Sequence, residues 1–225
     1  MSDLQVRGPL FGGTGTPSPF TADITGAQRI TDAHGRFQEA ALRGNLFSAG
    51  MTTTSISNVT FTTATLGATG TPIVGLWNPI GSGKNLVILQ ARLQVVITAL
   101  NRTGPGAFMW CTSVNQSAIS TGITPLNRFS LTASGAVGKG FANTAMTGLS
   151  GNLTVQEASG LQGGPMPVSG TDILGVVPYH APSTDNIDGA IILQPGSIIA
   201  LLCTTTPVGI SAASSILWEE VPILV

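Results

Sequence analysis

Thirteen consecutive residues, Val87 to Ala99, alternate apolar and polar side chains with scarcely a break. Val87, Leu89, Ala91, Leu93, Val95, Ile97 and Ala99 fall on one side, and Gln90, Arg92, Gln94 and Thr98 on the other. Successive side chains of an extended strand point to opposite faces, so this period of two predicts a long strand with one unbroken apolar face. A helix would need an apolar stripe at a period near 3.6 and a capping residue ahead of it, and neither is present.

Shorter segments repeat the β pattern from about residue 45 onward. Ser57–Thr63, Pro72–Trp77, Ala107–Thr112, Phe129–Thr132, Thr171–Val177, Ile191–Leu193, Ser197–Thr205 and Ser215–Ile223 all read as strands. They are separated by turn sequences such as Asn78-Pro-Ile-Gly-Ser-Gly83, Thr103-Gly-Pro-Gly106 and Gln194-Pro-Gly196. Strands of this number, spaced by Gly and Pro, predict an all-β fold, a jelly-roll-like β-sandwich over residues 51–225. Residues 133–170 are rich in Gly, Ser and Ala with little periodicity and read as a long inserted loop. Residues 1–50 read as an extended N-terminal arm, because residues 8–27 carry too much Gly and Pro for regular structure. Within the arm, residues 36–43 suit one or two helical turns that stop at Gly44.

Charge is scarce. Only 8% of the 225 residues are Asp, Glu, Lys or Arg, nine basic and ten acidic, where an ordinary soluble domain carries about 25%. Surface charge keeps copies of a protein apart, so this chain is expected to hide part of its surface against partners. A net charge of −1 argues against nucleic acid, whose phosphates call for a basic stripe. The longest apolar run, Leu86 to Leu100, is interrupted by Gln90, Arg92 and Gln94, so no membrane span is expected. The N-terminus has no apolar core of a signal peptide, and Cys111 and Cys203 read as reduced thiols of a protein folded in a reducing cytoplasm.

Candidate chemistry is thin. Gly81-Ser-Gly-Lys-Asn85 lacks the first glycine and the hydroxyl residue of a phosphate loop and reads as a turn with one solvated lysine. Asp185-Asn-Ile-Asp-Gly189 lacks the alternating acids and closing Glu of a calcium loop and reads as a solvated turn. His34 and His180 have no nucleophile or acid at a motif spacing, and Glu219 and Glu220, adjacent in a strand, should face opposite ways. These readings predict a non-enzyme with no cofactor and no metal. Trp77, Trp110 and Trp218 all fall in predicted strands and are expected to anchor the core or an oligomer interface. An exposed tryptophan platform for sugars is the alternative use.

Two segments carry a resemblance: Asp32-Ala-His-Gly-Arg-Phe-Gln-Glu-Ala-Ala-Leu-Arg-Gly-Asn-Leu-Phe47 and Trp77-Asn-Pro-Ile-Gly-Ser-Gly-Lys-Asn-Leu-Val87. With Pro195-Gly-Ser197 and Leu217-Trp-Glu-Glu220, they resemble a broad group of tailed-phage structural proteins. The resemblance implies a virion component, a head decoration or cement protein assembled in the host cytoplasm, and it brings no catalytic residue. On that expectation the β-domain forms a homo-oligomer, with a trimer favoured. The arm, through Arg29, Asp32, His34, Arg36, Phe37, Glu39 and Arg43, would lie on the major capsid protein or another virion protein, and several weak arms per oligomer would add by avidity. A receptor- or glycan-binding module of a head or tail fibre, using residues 133–170, is the alternative.

Overall fold

The computed structural model describes residues 37–53, 65–66, 72–97, 106–116, 119, 122–132, 135–142, 153–161, 182–204 and 210–223. The expected strands Ser57–Thr63 and Thr171–Val177 lie outside the described residues, as does the expected arm up to residue 36. By compactness the chain divides into Met1–Gln38 and Glu39–Val225.

The first described element is a short helix, α1 (Gln38–Leu42). It stops where the sequence says it should: Gly44 takes a φ of +73°, and its N–H and that of Asn45 close back onto the carbonyls of Ala41 and Ala40. The strands follow as β1 (Leu46–Thr53), β2 (Thr65–Leu66), β3 (Val74–Trp77), β4 (Lys84–Ile97), β5 (Phe108–Ser113) and β6 (Leu126–Asn127). The remainder are β7 (Lys139–Phe141), β8 (Leu153–Ala158), β9 (Ser183–Leu193), β10 (Ile198–Cys203) and β11 (Ile210–Pro222). β1 starts ahead of residue 51, so the sandwich takes in the end of the segment read as arm.

Two antiparallel sheets form a sandwich, in the orders β6-β1-β11-β4-β9 and β2-β8-β5-β10-β3-β7. With the three shortest strands, β2, β6 and β7, set aside, the pairing is nested. β1 pairs β11, β3 pairs β10, β4 pairs β9 and β5 pairs β8, first with last inward to the middle pair. A long folded hairpin wound into two sheets has this order, so the chain is an all-β sandwich of jelly-roll type.

β11 sets the inner face of the first sheet with perfect alternation: Ala212, Ser214, Ile216, Trp218 and Glu220 are all buried. β4 does not alternate as its sequence suggests. Leu86 and Ile88 face the core, and then Ala91, Leu93 and Val95 do. The register against β11 skips Leu89, with Trp218 opposite Ile88 and Leu217 opposite Gln90. This bulge switches the inward set by one residue, so Val87 leaves the face on which the sequence put it. β9 is irregular at the same level, where Asp188 and Gly189 both adopt positive φ.

The second sheet is apolar on both faces. Ile199, Leu201 and Cys203 of β10 join the inter-sheet core, while Ile198, Ala200 and Leu202 join a second cluster with Cys111, Phe141 and Leu153. Every residue of β10 is buried, which accounts for its uninterrupted apolar sequence.

Two expectations are corrected. Phe129–Thr132 is a turn, because Asn127 closes it on itself: Asn127 N–H donates to the Thr132 carbonyl, and Leu131 N–H to the Asn127 carbonyl. Residues 133–170 are not one loop, since β7 and β8 lie within them. Phe141 and Leu153, both buried, tie those strands to the second sheet, and a short strand with one or two anchors leaves little periodicity to read.

Candidate interaction surfaces

The segment between β5 and β8 shapes one lateral side of the sandwich. Its β6 pairs the outer edge of β1 in the first sheet, and its β7 pairs the outer edge of β3 in the second. Between them the chain is pinned by Glu220, whose side chain is 0% exposed. Glu220 Oε1 accepts from the N–H groups of Val137 at 2.8 Å and Gly138 at 3.0 Å, and Oε2 meets the Lys84 ammonium at 2.9 Å. A buried carboxylate holds only with its lone pairs filled, and here two backbone donors and a cation do so. Gly138 is required for the approach: a Cβ there would meet Leu86 Cδ1 at 2.9 Å and the Trp218 indole at 3.1 Å. Lys84 is therefore half of an ion pair on the first residue of β4, not the solvated turn lysine its sequence suggests. Glu219 and Glu220 do face opposite ways, Glu219 partly exposed and Glu220 buried.

On this side the turn 126–132 presents Leu126, Phe129 and Leu131, exposed by 45%, 62% and 71%. The turn is tightly held. Asn127 Oδ1 accepts from the N–H groups of Phe129 and Ser130, Asn127 Nδ2 donates to the Gly44 carbonyl at 2.7 Å, and Arg128 N–H donates to the Leu46 carbonyl. Leu131 has a φ of +57°, a left-handed conformation that costs a residue with a Cβ about 1–2 kcal/mol. Arg128, on the same turn, and Lys139 of β7 are exposed.

The opposite lateral side is formed by β9 of the first sheet and by β8 of the second with the short β2 on its outer edge. No further strand pairs the outer edge of β9 among the described residues. Glu157 of β8 and Asp188 of β9 are exposed there, and Ile192, between the inward Ile191 and Leu193, is exposed on the outer face of the first sheet. Asp185 is half-buried, and its Oδ2 accepts from Trp110 Nε1 at 2.9 Å, Ser159 Oγ at 2.8 Å and Gly160 N–H at 3.1 Å. The segment 185–189 is thus part of a bulged strand, not a free turn, and its half-buried carboxylate caps a core tryptophan. Among the described residues no group of three or more His, Cys, Asp or Glu is placed to hold a metal ion.

Trp110 and Trp218 are fully buried in the inter-sheet core, and Phe47 stacks on Trp218 with centroids 6.1 Å apart at 26°. Trp77 is partly exposed on the outer face of the second sheet and donates to the Gln116 carbonyl at 3.4 Å. Of the arm residues, Arg29, Asp32, His34 and Arg36 lie outside the described residues, as does His180. Phe37 directly precedes α1, Glu39 lies within it, and Arg43 follows it as an exposed residue next to the start of β1. Sequence reading singled out none of Leu126, Arg128 and Lys139 and put Phe129 and Leu131 in a strand. The available signal was Asn127, a residue type that closes turns through its own side chain.

Cys111 and Cys203 cannot meet, because Cys111 belongs to the outer cluster of the second sheet and Cys203 to the inter-sheet core. Neither is in a disulfide and both are buried, and burial pushes the Cys111 thiol up to about 12.

Comparison of the chain with protein-family models, with curated proteins and with solved structures finds no match.

Proposed function

We propose that this chain is a non-enzymatic structural protein of a tailed-phage virion, a decoration or cement protein that bridges and stabilises capsid subunits. The carrying observation is a jelly-roll sandwich built from a chain with 19 charged residues in 225. Such a surface is poorly suited to life as a dispersed monomer and well suited to standing among neighbours. The resemblance of Asp32–Phe47 and Trp77–Val87 to tailed-phage structural proteins supplies the setting.

In this reading the sandwich assembles as a homo-oligomer, a trimer, and the arm residues from Arg29 to Arg43 lie on the major capsid protein or another shell component. The site of action is the virion, reached by assembly in the host cytoplasm, with no cofactor, nucleic acid or membrane involved. For the glycan-binding alternative, Trp110 and Trp218 are enclosed in the core and offer no platform to a sugar, which leaves only the partly exposed Trp77 for that use.

Co-sedimentation of the full chain with expanded heads that lack decoration tests the proposal. Saturable binding, with heads that then withstand higher temperature or osmotic shock, is the expected result. Failure to bind heads, combined with binding to host surface glycans, would transfer the chain to the receptor-binding class.

A further inference from the structure

The two outer faces of the sandwich are not alike. On the second sheet the outward Ile198, Ala200 and Leu202 of β10 are all 0% exposed. On the first sheet no outward residue of β9 or β11 is buried, so that face is open to water. Its middle carries small side chains, and Gln90 is fixed in place, donating from Nε2 to Asn186 Oδ1 at 2.8 Å and accepting at Oε1 from Arg92 Nε at 3.0 Å.

Charge on this face is reduced to one cation and one anion. Arg92 is exposed and keeps its terminal N–H groups for a carboxylate. Glu219 is half-buried, and its carboxylate has no bonded partner among the described residues. Asp188, in the β9 bulge, is already engaged. The register sets Glu219 level with Val87, Leu217 level with Ser48 and Gln90, and Arg92 level with Ser215. Glu219 and Arg92 therefore stand on either side of the Leu217 level, each two residues or about 7 Å from it along the strands.

We propose that two copies of this chain pair face to face through their first sheets, about a twofold axis that lies in the contact plane and crosses the strands at Leu217. That rotation exchanges the two charged levels, so Arg92 of each copy meets Glu219 of the other and Leu217 meets its own copy on the axis. The charges name the occupant. A face with one cation and one anion, equally spaced from a neutral middle, is its own complement under this rotation. The size suffices as well. Five strands about 4.8 Å apart and about seven residues of about 3.4 Å give about 600 Å² per copy, or about 1,200 Å² for the pair, the lower end for a specific contact. The pairing goes beyond the trimer reading above and rests on it only for its setting, where it joins copies of neighbouring oligomers.

The test is the light-scattering mass of the full-length protein up to about 100 μM, for the wild type, R92E, E219R and an equal mixture of the two variants. The wild type is expected to gain mass above its oligomeric unit as concentration rises. R92E brings two carboxylates together at each end of the contact and E219R two cations, so each alone is expected to pair at least about tenfold more weakly. In the mixture an R92E copy meets an E219R copy with both ends matched, and the pairing is expected to return. Misfolding of either variant could not produce that recovery.

Single variants that pair as the wild type does, or a mixture that stays unpaired, would overturn the twofold contact. So would a wild type that never exceeds its unit mass. The unit itself decides the trimer reading separately, since a unit of one chain that still pairs would overturn the trimer and spare the twofold. Variants that pair normally but no longer bind undecorated heads would give this face to the shell and not to a second copy.

Discussion

Single residues decide how the inserted segment and the turns are held, and Glu220 is the most consequential. Its removal in Glu220→Ala frees Lys84 to reach solvent, since that side chain is already 30% exposed, but strands the buried N–H of Gly138 and the partly buried one of Val137. Two backbone donors left without their acceptor, at about 1–2 kcal/mol each, with the weaker Trp218 Nε1–H bond at 3.5 Å lost beside them, predict a destabilisation of at least about 2–4 kcal/mol in denaturant unfolding. Leu131→Asn, by contrast, should stabilise the isolated chain by about 0.5–1 kcal/mol, because it relieves a left-handed leucine whose side chain buries little. Cys111 has its thiol raised from 9.0 to about 12 by burial. Above pH 9 the unfolded chain gives up that proton and the folded one keeps it, so the thiol's contribution to stability falls steadily between pH 9 and 12. Unfolding at pH 8 and pH 10.5 should show the loss, and Cys111→Ala should diminish it. Neither the buried Glu220 nor the left-handed Leu131 leaves a mark in the sequence: one is half of Glu-Glu at a strand end, the other a leucine among polar residues.

At the level of elements, the sequence was readable both where a strand alternates and where, as in β10, every residue is buried. β11 alternates through Ala212, Ser214, Ile216, Trp218 and Glu220, although its reading began only at Ser215, and β3, β5 and β10 lie within a residue or two of where their patterns put them. β4 shows what patterning misses. Apolar residues at both Leu86 and Val87 and again at Ile88 and Leu89 allow either face to be inner, and only pairing with Trp218 selects Ile88. β7 and β8 were hidden because each is secured by one or two anchors in a run of small residues. β7 depends on Gly75 of β3, where a Cβ would collide with the Phe141 ring. Gly75→Ala should therefore displace that ring at a cost of about 1–3 kcal/mol. Amide exchange at residues 139–141 should quicken in this variant while exchange in β11 stays near its wild-type rate, and equal acceleration in both strands would mean that β7 is not a separate unit of stability.

The whole molecule joins a legible fold to a surface that the sequence described only in bulk. A low count of charges forecast that the chain would hide surface, but not which surface. The fold adds where large apolar side chains stand exposed together, with Leu126, Phe129 and Leu131 on the single turn 126–132. The residues of the expected arm, Arg29 to Arg36, lie outside the described part of the chain, so their role still stands on the resemblance alone.

The most direct measurement is the sedimentation and scattering mass of the full chain over a concentration series at low salt. The account predicts a closed oligomer, three times the 22.9 kDa of one chain, that persists into the low micromolar range. A single-chain mass at every concentration would contradict it, and would mean that 19 charges suffice to keep this sandwich apart from its own copies.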